Sequence, residues 1–309
     1  MSEAAPPHAL LRPRIAIPFL IVSLIWGSTW WVILGQIDAV PPSWSVALRF
    51  MIATPAMFAV GLVMRKSLRL GAAAHGLALF IGATQFCGNL NMVYRAELTL
   101  TSGIVAVMFG LLIVPNALLG RAFLGQKLTR NFLLGSLVAV TGIALLLWHE
   151  AREASAAGEL GGAIALGIFW GIAAMLSASI ANIAQAGKTG KSVPMVSLLA
   201  WSMLYGTFFD IALAWLVEGA PIIPTDMLFW AGLAYLAIAG SVVTFPLYYT
   251  LVRELGAGRA AYHAVLVVIV AMVLSTAFEA YRWNGLSVTG GVLSLAGMLL
   301  ALRARNPSR

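Results

Sequence analysis

Cysteine is almost missing. Cys87 is the only one in 309 residues, so no disulfide can form within the chain. It falls inside an apolar run, where a thiol is usually one more small buried side chain. Charge is scarce as well. Asp, Glu, Lys and Arg make up 10% of the residues, against about a quarter in water-soluble domains, which excludes a fold surrounded by water. Acids are the scarcer sign, 11 against 19 basic residues. That surplus is spread between apolar runs and forms no dense cluster with interleaved aromatics, so no nucleic-acid partner is expected.

The motifs of several chemistries are absent too. The four histidines, His8, His75, His149 and His263, are scattered and no HExxH occurs, so neither a metal centre nor a cofactor is expected. Gly187-Lys188-Thr189 mimics the end of a phosphate-binding loop. The glycine required five residues earlier is Asn182, which argues against ATP-driven pumping by this chain. Gly240-Ser241 has no convincing partner base, and the chain is not expected to be an enzyme.

What remains is apolar. Hydrophobic residues reach 61%, and they come in runs long enough to cross about 30 Å of hydrocarbon at about 1.5 Å per helical residue. The runs span residues 15–34, 44–64, 72–94, 99–120, 131–148, 160–181, 194–217, 227–252, 260–280 and 286–302. They predict an all-α integral membrane protein with ten transmembrane helices. The first run is too long for a signal-peptide core and has no small-x-small cleavage site, so it reads as a permanent helix.

The basic residues give an orientation. With the amino terminus in the cytoplasm, the inner segments hold fifteen of the nineteen Lys and Arg residues. The outer segments hold Arg95, Arg152 and Arg282, and Arg49 lies inside a run. The bias places both termini in the cytoplasm.

The halves resemble each other. Trp26-Gly27 in the first run matches Trp170-Gly171 in the sixth, and Gly135 and Gly142 match Gly290 and Gly297 at the same spacing. Five helices per half is an odd number, so the second half must enter the membrane from the opposite side. Such an inverted repeat supplies two related conformations, each open to one side. The expected organisation is a tail over 1–14, a first five-helix repeat over 15–149, an external linker over 150–159, a second repeat over 160–302 and a tail over 303–309.

Several of these stretches resemble a known family. Leu24-Ile25-Trp26-Gly27-Ser28-Thr29-Trp30, then Pro41-Pro42 and Leu48-Arg49-Phe50, look like the first two helices of EamA-type carriers, in the drug/metabolite transporter superfamily. Phe123-Leu124-Gly125-Gln126-Lys127-Leu128-Thr129, with Gly135 and Gly142 beyond, resembles that family's junction of fourth and fifth helices. Within the superfamily the chain looks closest to the YddG-like exporters of aromatic and other amino acids. The resemblance implies a central cavity lined by the first, third, fourth, sixth, eighth and ninth helices, with the fifth and tenth toward the rear. Two positions depart from the pattern: Gln126 stands where the family often has glutamate, and Pro115 has no counterpart in the ninth run, where Met272 stands.

The reading is then a secondary transporter that exports small metabolites, amino acids with apolar and aromatic side chains among them, by alternating access in the cell inner membrane. It is expected to work as a monomer. A proton-coupled multidrug or cation exporter is the alternative, and a channel would need a continuous polar stripe that the sequence lacks. The first run has no carboxylate, unlike the short multidrug antiporters of the superfamily, so export down a gradient is expected.

Polar groups at membrane depth mark candidate sites. Gln85 and Asn89 are four apart and suit a zwitterion, since amides both donate and accept. Trp26, Trp30 and Trp170 would wall a pocket for an apolar or aromatic side chain. Tyr94 and Tyr248 would flank the gates, and Ser177 would either face substrate or bond back to its own helix. Arg49 and Asp210 would pair or snorkel, Pro115 and Pro246 would kink gating helices, and His263 would carry a proton or simply sit at the interface.

Overall fold

The computed structural model describes residues 12–125, 127–156, 161–255 and 263–304, and every regular element among them is helical. In chain order these are α1 (Pro13–Ile37), α2 (Pro42–Val63), α3 (Ala72–Ile81), a π-helical segment π1 (Gly82–Asn89), α4 (Leu90–Ala96), α5 (Ser102–Gly110) and α6 (Ile113–Leu124). There follow α7 (Arg130–Ala156), α8 (Gly161–Ala186), the short α9 (Lys188–Ser192), α10 (Met195–Glu218), α11 (Met227–Ala237), a second π segment π2 (Ile238–Val243), α12 (Thr244–Leu255), α13 (His263–Phe278) and α14 (Gly285–Ala304).

Among the described residues, seven helical stretches are long and apolar enough to cross a membrane, the α5–α6 stretch Ser102–Leu124 counting as one. The apolar α13 and α14 are shorter. Large apolar side chains lie exposed along these helices, such as Leu134, Leu137, Phe169, Val273 and Val292. A bilayer, in which only hydrogen-bonded backbone is tolerated, accounts for both the helices and their greasy surfaces. The chain is an all-α integral membrane protein.

Prolines shape two of the helices. Pro115 is the third residue of α6 and Pro246 the third of α12. A proline has no N–H to give to the carbonyl four residues back, so it is best placed in a first helical turn. In the first case the helix breaks at Leu111–Leu112, between α5 and α6; in the second the preceding turn widens into π2. The ninth run, with Met272 where a proline would stand, is the continuous α13. The helix before the expected linker over 150–159 continues into it. α7 runs on to Ala156 because Glu150-Ala151-Arg152-Glu153-Ala154 is polar yet helix-favouring. Residues 157–160 lie outside the described residues, as does Gln126.

Two large apolar cores, with two smaller clusters beside them, fill the bundle. One is built mainly on α2, α3, π1 and α10, around Phe50, Phe86, Met203 and Tyr94. The other joins α5, α7, α13 and α14, around Ile104, Met108, Leu146 and Met298. Trp30 and Phe109 pack against both, with their ring centroids 5.1 Å apart.

The closest helix contact joins α7 and α14 through the glycines whose spacing repeats. A Cβ on Gly135 would lie 2.3 Å from the Ala301 nitrogen and one on Gly142 2.3 Å from the Ser294 nitrogen. Conversely, a Cβ on Gly297 would lie 2.2 Å from the Ala139 nitrogen and one on Gly290 2.7 Å from the Gly142 oxygen. Only hydrogen fits, so the two backbones meet directly, antiparallel, as small residues permit in membranes. Matching 135 with 290 and 142 with 297 exchanges the two contacts, as a twofold axis between the helices would.

Candidate functional site

The two π segments stand at matching places. π1 begins ten residues after the start of α3, and π2 eleven after the start of α11. A π turn widens the ladder and weakens its hydrogen bonding, and such turns recur at functional sites. Each is supported from the opposite half of the chain. Ser177 Oγ on α8 donates to the Thr84 carbonyl of π1 at 2.8 Å, and Trp26 Nε1 on α1 donates to the Gly240 carbonyl of π2 at 3.2 Å. Ser177 therefore bonds to a neighbouring helix rather than back to its own.

Inside π1 the amides stay open. Asn89 is 4% exposed, and its Oδ1 is buried without a hydrogen-bond partner. Gln85, half-buried one turn earlier, bonds to no other described group. A buried amide left unpaired costs about 1–3 kcal/mol, so such a group in a native fold asks for a ligand or water. Trp30 adds another, because its indole nitrogen is buried and unpartnered at the seam of the two cores.

Inside π2 the polar groups are engaged. Arg49 of α2, 4% exposed, donates from Nε and Nη2 to Ser241 Oγ at 3.2 and 3.1 Å and from Nη1 to the Tyr94 hydroxyl at 3.4 Å. Ser241 Oγ in turn donates to the Leu236 carbonyl. Arg49 thus neither pairs with Asp210 nor snorkels; among the described residues its guanidinium meets hydroxyls and forms no ion pair. Tyr94 is fully buried, which removes it from any interfacial belt. The charge of Arg49 is held inside the protein, where an anion gains most from it.

Asp210 is wholly buried. Its Oδ1 accepts from Asn91 Nδ2 at 2.8 Å while Oδ2 has no partner. Asn91 leads to Arg95, whose Nη1 donates to the Asn91 side chain at 3.2 Å. Arg95 Nη2 reaches Ser43 Oγ at 2.8 Å and Glu218 at 3.4 Å. Glu218 also accepts from the backbone nitrogens of Ser43 and Trp44. This chain of contacts ties α4 to α10 and to the start of α2. Asn91, Arg95 and Glu218 are absent from the sequence candidates. The spacing of Asn91 and Arg95, four apart on one helix face, is the available signal.

The tryptophans separate. Trp26 sits in a ring cluster with Phe245, Tyr248 and His263, at centroid distances of 5.5, 5.2 and 5.4 Å. Phe245 of α12 continues to Phe86 of π1 and Phe86 to Phe50, so aromatic rings run from α1 and α12 to π1 and α2. Trp170 lies instead beneath the Arg95 guanidinium, 5.9 Å from its ring centre. His263 is buried against Trp26 and Tyr248. An apolar crevice of about 600 Å³ opens between α5, α7, α13 and α14, by Val107, Leu146, Met272 and Trp283, and no candidate site residue lines it.

Comparison with known proteins places these features in a wider set. The model of the EamA-like transporter family matches residues 14–148 and again 165–303. Protein PagO of Salmonella typhimurium is 23% identical over 303 residues, 96% of this chain and 95% of that one. A probable amino-acid metabolite efflux pump of the same organism is 26% identical over 304 residues, covering 94% and 96%. One from Escherichia coli is 25% identical over 289 residues, covering 91% and 92%. A solved crystal structure superposes with a TM-score of 0.65 at 19% identity over 92% of this chain and 95% of that one, a likeness of fold.

Proposed function

The chain belongs to the EamA-like transporter family, and from that premise we propose that it exports amino acids and related small metabolites across a cell inner membrane by alternating access. Its ten spans form two five-helix halves inverted about the axis between α7 and α14, with both termini in the cytoplasm. The reciprocal glycine contacts support the inversion, and the bias of Lys and Arg supports the orientation.

The observation that carries the reading is the unpartnered amide of Asn89, buried on a helix whose ladder is opened by π1. Gln85 stands on the same segment, and Arg49, through Tyr94, reaches the next turn of that helix. An α-amino acid offers a carboxylate for the guanidinium and an ammonium for amide oxygens, and aromatic walls take its side chain. Amino-acid efflux is the activity named for two of the relatives.

The test is counterflow of labelled phenylalanine and threonine in proteoliposomes. Saturable uptake, accelerated by unlabelled amino acid inside, is expected. Asn89→Ala should lower it about tenfold, the worth of one hydrogen bond to a charged group at about 1.5 kcal/mol, with no loss of protein. Flux linear in concentration, or no amino-acid movement, would overturn the reading.

A further inference from the structure

Among the described residues two carboxyls are buried, and their surroundings differ. Asp210 receives an amide proton from Asn91, and the cationic Arg49 lies close enough to act on it. Glu97, at the carboxyl end of α4, has neither. It is 4% exposed and neither of its oxygens has a hydrogen-bond partner. The ionisable group whose charge acts on it is Glu279, from the end of α13. On its own turn stands Tyr94, held by Arg49, while Arg95 is turned away to Glu218 and Ser43. From α8 the turn meets Gly167, against Thr99 and Leu100.

Glu279 is already engaged. One oxygen accepts from the Ser102 nitrogen at 2.8 Å and the other from the Ser102 hydroxyl, so it caps the amino terminus of α5. Glu97 therefore lies buried beside a carboxylate, without a donor or a cation. An anion in that setting meets uncompensated desolvation and repulsion, and the group neutralises instead. A metal cation does not fit the need, since hard cations want about six oxygen ligands. Among the described residues no three His, Cys, Asp or Glu side chains stand together. A proton needs a single lone pair.

We propose that Glu97 is a proton-binding group of the outer gate: it holds a proton while that end of the molecule is closed, and gives it to the external water when the end opens. The inference rests on the orientation proposed above, which puts the α4–α5 turn and the end of α13 on the outer face. Its consequence has a definite sign. The closed form binds one more proton than the open form, so external acid favours closure and rising pH favours opening, by at most about tenfold per pH unit.

Leu100, buried three residues beyond Glu97, can report the opening. In right-side-out vesicles, Leu100→Cys is labelled with a membrane-impermeant maleimide across external pH, less the labelling of the parent chain with its buried Cys87. The readout is the labelling rate of Leu100→Cys divided by that of Leu100→Cys with Glu97→Gln, which cancels the pH dependence of the thiol itself. The ratio should rise several-fold between about pH 5.5 and about pH 7.5, and Glu97→Asp should keep the rise. A flat ratio would overturn the proposal. Should the chain carrying Glu97→Gln fail to accumulate, Glu279→Gln serves: removing the neighbouring negative charge lessens the penalty on ionised Glu97 in the closed form, so the rise of opening with pH should level off earlier and reach a smaller maximum, and an unchanged profile would also overturn the proposal. Labelling needs no substrate. A chain that opens with pH but moves no amino acid would defeat the proposed function and leave this site standing, and counterflow with pH-independent labelling would do the reverse.

Discussion

In π1 the amides of Gln85 and Asn89 stand without partners, whereas in π2 Ser241 takes two bonds from Arg49 and Gly240 takes bonds from Trp26 and Thr244. The two segments begin at matching distances into their helices, and each is braced by a side chain remote in the chain, from α8 and from α1. The backbone is therefore repeated while the chemistry is not. Repetition serves the motion, because two matched halves can exchange conformations. On the proposed function, divergence would serve recognition, because an amino acid has different ends and needs different groups to meet them. On this reading π1 supplies hydrogen bonds to a ligand, and π2 is the anchored side that holds a positive charge in place.

The repeated part of the comparison carries the largest expected effect. Gly142 and Gly297 occupy equivalent positions, and a methyl on either would fall 2.3 or 2.2 Å from a backbone nitrogen of the facing helix. Gly142→Ala and Gly297→Ala should each push α7 and α14 apart at a cost of about 1–3 kcal/mol, typical of overpacking. The two variants should lose thermal stability in detergent by like amounts. A large loss in one and none in the other would break the equivalence of the halves at its tightest contact.

Next comes the divergent part. Arg49→Lys keeps the charge but replaces a planar fork by a point donor that cannot span Ser241 and Tyr94 together. Counterflow should fall about tenfold, the loss expected when a hydrogen bond to a charged group worth about 1.5 kcal/mol is removed, while the protein still accumulates. Unchanged transport would mean that the charge alone matters and that π2 need not be anchored.

The sequence makes some of this visible. Apolar runs mark the helices well: the run 44–64 becomes Pro42–Val63, and the run 194–217 becomes Met195–Glu218. The paired glycines, legible as a sign of the repeat, become the α7–α14 contact only in the fold, and Pro115 announces the break before α6. The π segments are not legible, because what supports them is remote. The donor to Thr84 is 93 positions away and the donor to Gly240 is 214 away. For the same reason sequence depth matches Arg49 with Asp210, a carboxylate at a similar level, when its partners are hydroxyls on α4 and π2. Glu97 gives no signal in the sequence, because a carboxylate at a helix end normally faces water and only the fold shows that this one is buried.

The smallest effect separates the two braces. Ser177→Ala removes the side-chain donor to the Thr84 carbonyl, and with it about 1 kcal/mol. Trp26→Phe removes a donor from Gly240 as well, yet that carbonyl keeps a bond from Thr244 Oγ1 at 2.8 Å. A carbonyl with one remaining partner is satisfied, and the cost of an unmet acceptor does not arise. The phenyl ring also preserves most of the contact with Phe245 and Tyr248. Ser177→Ala should therefore raise hydrogen–deuterium exchange in π1 by about fivefold, as about 1 kcal/mol of local stability allows, and Trp26→Phe should leave exchange in π2 nearly unchanged. Equal increases in both would show that Thr244 gives no support, and that π1 and π2 are braced alike after all.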